Sequence, residues 1–266
     1  MPSPFKLLSC FVMLTLLVTC CRPKNPEQVI TNPRLIEYTV QSTLNHDTKA
    51  FTQGLEIHNG QLYESTGQKG SWIGIVDINT GIADKKVTLE DKYFGEGITI
   101  FGNKLYQLTW QNHEGFVYDL ASFRKIRSFR YPTEGWGLTH DSTYLIMSDG
   151  SDKMYFLDTA TLATVRTMEV KDQNGPVSNL NELEYAHGRI YANIWQTDYI
   201  ARINPSTGNV DGYLDLGPLT RQAKLANAQA DVLNGIAWHD RTKALLVTGK
   251  LWPYLFIIHM REPSRE

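Results

Sequence analysis

The sequence predicts an all-β protein, a five-bladed β-propeller closed by its own N-terminal strand and carrying a short helical insertion before the fifth blade. Three observations predict it. A glycine-bearing strand start recurs at Gly54, Gly97, Gly137 and Gly235, with Glu182 in the same phase, at intervals of 43, 40, 45 and 53 residues. Each start is followed by a turn, a short strand built on an aliphatic residue and a tyrosine or leucine, an aspartate- or asparagine-ended strand and, in all but the last copy, a fourth strand. Four short strands per unit of about 40–45 residues is the pattern of a propeller blade. Finally, the fifth unit lacks its fourth strand, while an unpaired strand at residues 35–40 precedes the first unit and can close the ring. Such closure removes the free edge that an open array would leave.

Taken in order, the chain opens on a targeting segment. Lys6 supplies a positive n-region, and residues 7–18 form an apolar run of twelve, too short to span a bilayer as a helix. The run ends in Leu17-Val18-Thr19-Cys20-Cys21. This reads as a bacterial lipoprotein signal with lipidation at Cys20 or Cys21; simple secretion is the alternative, because Thr19 is an imperfect residue before the cut. Residues 1–20 are therefore expected to be a signal peptide, and the product to be exported to the periplasm or cell surface, touching the membrane only through a lipid anchor. Residues 21–33, with Pro23, Pro26 and Pro33, read as an extended tether, and the propeller is expected over 34–262.

The first blade is read at Gln53-Gly54-Leu55, Leu62-Tyr63, Ile75-Val76-Asp77 and residues 86–89; the second at Glu96-Gly97-Ile98, Leu105-Tyr106, Val117-Tyr118-Asp119 and residues 126–129. The third runs through Trp136-Gly137-Leu138, Tyr144-Leu145, Phe156-Leu157-Asp158 and residues 165–168, and the fourth through Asn181-Glu182-Leu183, Ile190-Tyr191, residues 201–204 and residues 212–214. The fifth has Asn234-Gly235-Ile236, residues 245–247 and residues 256–258. The extra length before it lies at residues 219–233, where residues 221–226 favour a helix, expected on the loop face.

Composition bounds the function. A chain of 266 residues, 42% hydrophobic and 20% charged, has an ordinary globular balance. A net charge of −2 with scattered Lys and Arg offers no footprint for nucleic acid. Cys10 leaves with the leader, so the domain holds no cysteine, which excludes a disulfide scaffold and any Cys-based metal site or nucleophile within it.

In a propeller the first strand of each blade lines the channel, so the residues before the repeated glycine share one mouth: Gln53, Glu96, Trp136, Asn181 and Asn234. Residues ending the second strands point to the same rim, where Trp110, Trp195 and Lys250 stand, with Trp252 close by. A carboxylate, amides, an ammonium and indoles make an aromatic pocket with a few convergent polar groups, the form of a small-ligand site. Glu96 leads the set because Gly95 and Gly97 flank it, letting backbone approach closely and adopt φ > 0; a second Glu-Gly pair stands at Glu134-Gly135. Taken singly, each residue also has a structural reading, an indole as core, an asparagine as a strand cap, Glu96 as an acceptor for backbone N–H groups, Lys250 as a rim charge. Delivery by independent blades to one mouth favours a site. Trp238 is assigned to packing between blades. His58, His140, His187 and His239 fall in turns at the opposite face, with no pair at ligand spacing, so no catalytic zinc is expected; a phosphate loop and a nucleophile elbow are also missing. A cation in the channel would be structural.

Phe51-Thr52-Gln53-Gly54-Leu55, Gly95-Glu96-Gly97, Glu134-Gly135-Trp136-Gly137-Leu138, Leu180-Asn181-Glu182-Leu183-Glu184 and Asp231-Val232-Leu233-Asn234-Gly235-Ile236-Ala237 resemble the plant-type (type I) glutaminyl cyclases, which have plant and bacterial members. The resemblance covers about residues 35–260. It implies a five-bladed propeller, expected as a monomer, that turns the N-terminal glutamine of peptides or proteins into pyroglutamate and frees ammonia. The glutamate of the Gly-Glu-Gly motif, Glu96, would be the acid/base, and Gln53, Trp110, Trp136, Asn181, Trp195 and Lys250 match the family's other pocket residues by position. The lipoprotein-like leader departs from the family and leaves location and natural substrate open.

That chemistry suits these residues independently of the resemblance. The α-amine and the carboxamide it attacks belong to one residue, so an enzyme need only hold a folded conformer. One carboxyl can take the proton from the amine and return it to the leaving nitrogen. Lys250, Asn181 or Gln53 can hold the developing oxyanion. No cofactor is required. Two rivals remain at this level: a non-catalytic propeller presenting its aromatic rim to a protein or glycan, which leaves Glu96 unexplained, and a metal-dependent propeller lactonase, for which Asn181, Asn234 and Glu96 are a thin ligand ring.

Overall fold

A computed structural model describes residues 34–261; the expected signal peptide and tether lie outside the described residues. The first strand among the described residues is β1 (Tyr38–Asn45). Blade one is β2 (Thr52–His58), β3 (Gln61–Thr66), β4 (Trp72–Val76) and β5 (Ala83–Thr88), and blade two is β6 (Gly95–Phe101), β7 (Lys104–Thr109), β8 (Glu114–Asp119) and β9 (Lys125–Arg130). Blade three is β10 (Leu138–His140), β11 (Tyr144–Ser148), β12 (Lys153–Asp158) and β13 (Thr164–Glu169). A small hairpin that the sequence reading did not anticipate, β14 (Lys171–Asp172) and β15 (Gly175–Pro176), leads into blade four: β16 (Leu180–Ala186), β17 (Arg189–Ile194), β18 (Tyr199–Ile203) and β19 (Val210–Asp215). The helix α1 (Gly217–Ala226) precedes blade five, which is β20 (Leu233–His239), β21 (Ala244–Gly249) and β22 (Tyr254–Met260).

Each blade is an antiparallel meander, and β1 supplies the missing fourth strand of the fifth by pairing antiparallel with β22. The inner strands β2, β6, β10, β16 and β20 neighbour one another in a ring. Sequence chemistry follows position in the blade. Inner strands are buried along nearly their whole length, as in Gly95-Glu96-Gly97-Ile98-Thr99-Ile100, whereas fourth strands such as Lys125-Ile126-Arg127-Ser128-Phe129-Arg130 are largely exposed. The aspartates that end third strands close the following turn: Asp77 Oδ1 accepts from the amides of Asn79 and Thr80, and Asp158 Oδ1 from those of Ala160 and Thr161.

At Gly54, Gly97 and Gly137 the repeated glycine serves close approach, whereas Gly235 adopts a positive φ of 115°. A Cβ on Gly54 would sit 2.6 Å from the Ile98 amide nitrogen, and one on Gly97 2.5 Å from that of Leu138. Adjacent inner strands touch at these points, so any side chain would push the blades apart. Glu182, in the glycine phase, does the converse and reaches across the channel: its carboxylate accepts from the amides of Leu55 and Ile236, at 3.1 and 2.8 Å.

Closure occurs as expected but further along the chain. The strand predicted at residues 35–40 lies at Tyr38–Asn45, because the preceding residues pair elsewhere. Ile36 N donates to Tyr213 O and Tyr213 N to Arg34 O, each at 2.8 Å, and the Ile36 side chain is buried with Leu214 and Leu216. The entering chain thus staples the outer edge of blade four before it completes blade five. The helix starts earlier than residue 221, at Gly217, and buries Leu219 and Ala223 in the cluster that contains Trp252 and Leu233.

Candidate active site

Because each inner strand runs from one mouth of the channel to the other, residues at strand starts converge. All seven expected site residues, Glu96, Gln53, Trp110, Trp136, Asn181, Trp195 and Lys250, line one cavity of about 300 Å³. Phe51, Phe94, Gln196 and Asp231 complete it.

Glu96 is 4% exposed. Its backbone is pinned: Ser65 Oγ donates to its carbonyl at 2.6 Å and the Gly97 amide to Trp136 O at 2.7 Å. Its Oε1 accepts from Gln53 Nε2 at 3.0 Å, and Gln53 Oε1 in turn accepts from Asn234 Nδ2 at 3.1 Å. Both ends of the Gln53 amide are therefore engaged, and Asn234, expected at the mouth, lies behind Gln53 and fixes it. Burial pushes the Glu96 carboxyl well above the usual carboxylate range; the Lys250 charge opposes this and the Glu134 charge adds to it. Burial lowers the Lys250 ammonium, against the opposing pull of Glu96 and Asp231. Its Nζ lies 4.8 Å from the centroid of the Phe51 ring. Asn181 is buried, and its Oδ1 is an acceptor without a hydrogen-bond partner.

The aromatic walls form two linked groups. Phe51 meets Phe94 edge-on at 6.1 Å and Phe94 meets Trp110 at 5.6 Å, while Trp136 meets Trp195 at 5.5 Å and 88°. Glu134 joins them, accepting from Trp110 Nε1 at 2.7 Å and Trp136 Nε1 at 3.0 Å.

Some expectations need correction. Trp252 does not reach the pocket; it is fully buried, donates to Asp231 O at 2.9 Å and covers Gly249. Trp238 is half-buried, meets His187 of blade four at 4.5 Å and also lines the opposite mouth. Phe51, Phe94 and Glu134 were not among the expected site residues; each stands two residues before an expected one, in the segment that leads into an inner strand. Gln196 follows Trp195 as Gln111 follows Trp110, so the repeat could have flagged it, whereas Asp231 belongs to the insertion before blade five.

The opposite mouth holds a larger cavity, about 610 Å³, bordered by His58, His140, His239, Glu56, Glu184 and Trp238. Its carboxylates are already engaged: Glu56 Oε2 accepts from the Ile100 amide at 2.9 Å and Glu184 Oε1 from that of Trp238 at 2.8 Å. With Glu182 they satisfy inner-strand amides that face the channel, where an unpaired donor would be costly. Burial raises all three, Glu56 to about 8. Among the described residues no group of three or more His, Cys, Asp or Glu is arranged to hold a metal ion.

Comparison with known proteins bears on the family and the fold. The sequence model of the family described as Glutamine cyclotransferase matches residues 12–260. The chain is 40% identical over 235 residues to a glutaminyl-peptide cyclotransferase of Arabidopsis thaliana, covering 87% of this chain and 73% of that one. The fold aligns with the crystal structure of Myxococcus xanthus glutaminyl cyclase at a TM-score of 0.81 and 36% identity, covering 86% of this chain and 98% of that one. With a match that runs through all five blades and spans every residue of the pocket, the chain belongs to the glutamine cyclotransferase family.

Proposed function

We propose that this protein cyclises the N-terminal glutamine of peptides or proteins to pyroglutamate, with release of ammonia, in the pocket around Glu96. The observation that carries the proposal is a buried carboxyl, held by Gln53, in an indole-walled cavity of about 300 Å³ that also receives Lys250. That volume lies at the small end of ligand pockets, about 300–1,000 Å³, and suits one terminal residue with the rest of the peptide outside.

The indoles hold the glutamine folded, with its α-nitrogen against its own carboxamide carbon, so that attack is intramolecular. As the nitrogen lone pair forms the new C–N bond, the carbonyl π pair moves to oxygen and Glu96 takes a proton from the attacking amine. The tetrahedral intermediate collapses, the C–N bond to the former amide nitrogen breaks, and Glu96 returns the proton so that ammonia leaves. The engaged amide of Gln53 supports a role in aiming Glu96 rather than holding the oxyanion. Lys250 is the donor for the oxyanion, and Asn181 Oδ1 accepts an N–H of the substrate. No cofactor enters, because both reacting groups lie in one residue and the leaving group takes its proton from Glu96.

Ammonia release from a glutamine-initiated peptide, with and without a chelator, tests this reading. Release in both arms is expected. Release abolished by the chelator favours a metal-dependent enzyme, and none in either arm favours a non-catalytic rim. The proposal extends to location: the apolar run ahead of Cys20-Cys21 supports an exported, lipid-anchored enzyme, and a monomer is supported by β1 covering the β22 edge that could otherwise pair with a second chain. Replacing Cys20 and Cys21 with Ser should move it out of the membrane fraction, and a parent protein found soluble overturns the anchor. Light scattering at twice the chain mass overturns the monomer.

A further inference from the structure

Glu134 takes no part in the reaction above, yet two walls of the pocket hang from it. Trp110 follows the last residue of β7 in blade two, and Trp136 lies in the segment just ahead of β10 in blade three. Their indole N–H groups converge on one oxygen, Glu134 Oε2, at 2.7 and 3.0 Å, while Oε1 accepts from Gln111 Nε2 at 3.0 Å. Partial burial pushes this carboxyl up, but the donors on Trp136, Gln111 and Trp110 outweigh it and hold the group below its usual range, so it is an anion at neutral pH.

The segment carrying Glu134 cannot drift. The Gly135 amide donates to Trp110 O at 3.1 Å, and a Cβ on Gly135 would meet Tyr131 Oη at 2.6 Å. That hydroxyl in turn donates to Thr109 O at 2.6 Å and accepts from Thr109 N at 2.9 Å. The acceptor is thus rigid, while the indole it holds is only partly enclosed: Trp110 meets Phe94 edge-on at 5.6 Å but is 36% exposed, so the hydrogen bond to Glu134 helps to fix its rotamer. Trp136 also braces Trp195 edge-on, so one carboxylate sets the attitude of three indoles.

We propose that Glu134 is the positioning residue of this pocket, a rim carboxylate that clips the indoles of Trp110 and Trp136 into one wall and so selects the folded conformer of the substrate's glutamine. The inference rests on the reading of the Glu96 pocket as the cyclase site. Glu134 exchanges no proton with the substrate; it acts through the two rings.

Two substitutions separate the clip from the charge, with Glu96→Gln as the control for the site itself. In Glu134→Gln the remaining carbonyl oxygen still accepts both indole N–H groups, and Gln111 can turn its amide to accept from the new NH₂. Rescue is expected, with kcat and KM within about threefold of the parent. Glu134→Ala releases both rings. A fall in kcat/KM of about 10- to 100-fold is expected, the equivalent of one or two charge-assisted hydrogen bonds, with an altered near-ultraviolet circular dichroism band from the freed indoles. Should that variant fold poorly, Trp110→Phe removes one donor, keeps a ring and leaves the loop untouched; a loss of about 3- to 10-fold is expected, and it should not add to the loss in Glu134→Ala. Parent-like kcat/KM in Glu134→Ala or Trp110→Phe overturns the clip. Glu134→Gln as impaired as Glu134→Ala, with an unchanged dichroism band, also overturns it and points to direct contact of the charge with the substrate ammonium. An active Glu96→Gln protein is a different failure: it removes the pocket reading on which the clip depends.

Discussion

Replacing Glu96 with glutamine removes the proton-carrying oxygen and keeps the shape. The new carbonyl still accepts from Gln53 Nε2, as Oε1 does at 3.0 Å, and at a site 4% exposed no cavity opens. What is lost is proton transfer at both steps, worth about 10²–10⁴-fold in rate, or about 2.7–5.4 kcal/mol of barrier. KM should stay within about threefold, since the indole walls are intact. Stability carries its own signature. A carboxyl whose folded pKa is raised favours the native state fully below its unfolded value, and that contribution is lost as pH rises through the folded value. Glu96→Gln should therefore melt with the parent near pH 4 and above it at pH 8. The assays are initial rates of ammonia release from a glutamine-initiated peptide, quenching of indole fluorescence by that peptide, and melting temperature at the two pH values. Turnover within tenfold of the parent, in a variant that binds and melts as described, would refute the shuttle.

Trp110→Ala and Trp195→Ala should raise KM and lower kcat, costing about 10- to 100-fold in kcat/KM, because a buried aromatic contact is worth about 1.5–3 kcal/mol. Trp238→Ala, at the opposite mouth against His187, should lower the melting temperature and leave KM alone; lost substrate binding at an unchanged melting temperature would reverse the assignment of the two mouths. Lys250→Met removes the charge that holds Glu96 down, so the acid limb of the kcat/KM profile should move to higher pH, and an unmoved limb means that it does not report Glu96. Deleting residues 38–45 strips the whole register from Tyr38↔Met260 to Asn45↔Tyr254 and exposes the β22 edge; deleting 22–30 should cost far less, and equal melting temperatures would contradict closure by β1.

The architecture was legible because it is written five times. A glycine at one phase, an aspartate at the end of third strands and a missing fourth strand each recur or default at fixed spacing, and position at the start of a first strand or the end of a second then fixes which residues share the mouth. Glu96, Gln53, Asn181, Trp136, Trp110, Trp195 and Lys250 all follow from that rule and line the pocket. Phe51, Phe94 and Glu134 stand two residues earlier, outside the strands, where that rule does not reach. Trp252 escapes it because it lies in the turn between β21 and β22, where Leu251 adopts φ 61° and the indole lies over Gly249. The N-terminal strand was displaced along the chain because Ile36 finds burial between blades, a partner no local pattern announces.

The sequence by itself determined the blade count, the closing strand, the mouth at which the chemistry gathers and the family. Only the tertiary structure decided what each group at that mouth is free to do. Asn234 engages Gln53, Gln53 engages Glu96, and one Glu134 oxygen takes two indoles. Apart from the local Glu134–Trp136 contact, each of these pairs joins groups from different blades, so its geometry exists only after the blades have packed. The same holds for the raised Glu96 carboxyl. Its cause is desolvation by five converging strands, and burial is a property of the packed ring that no residue carries along the chain.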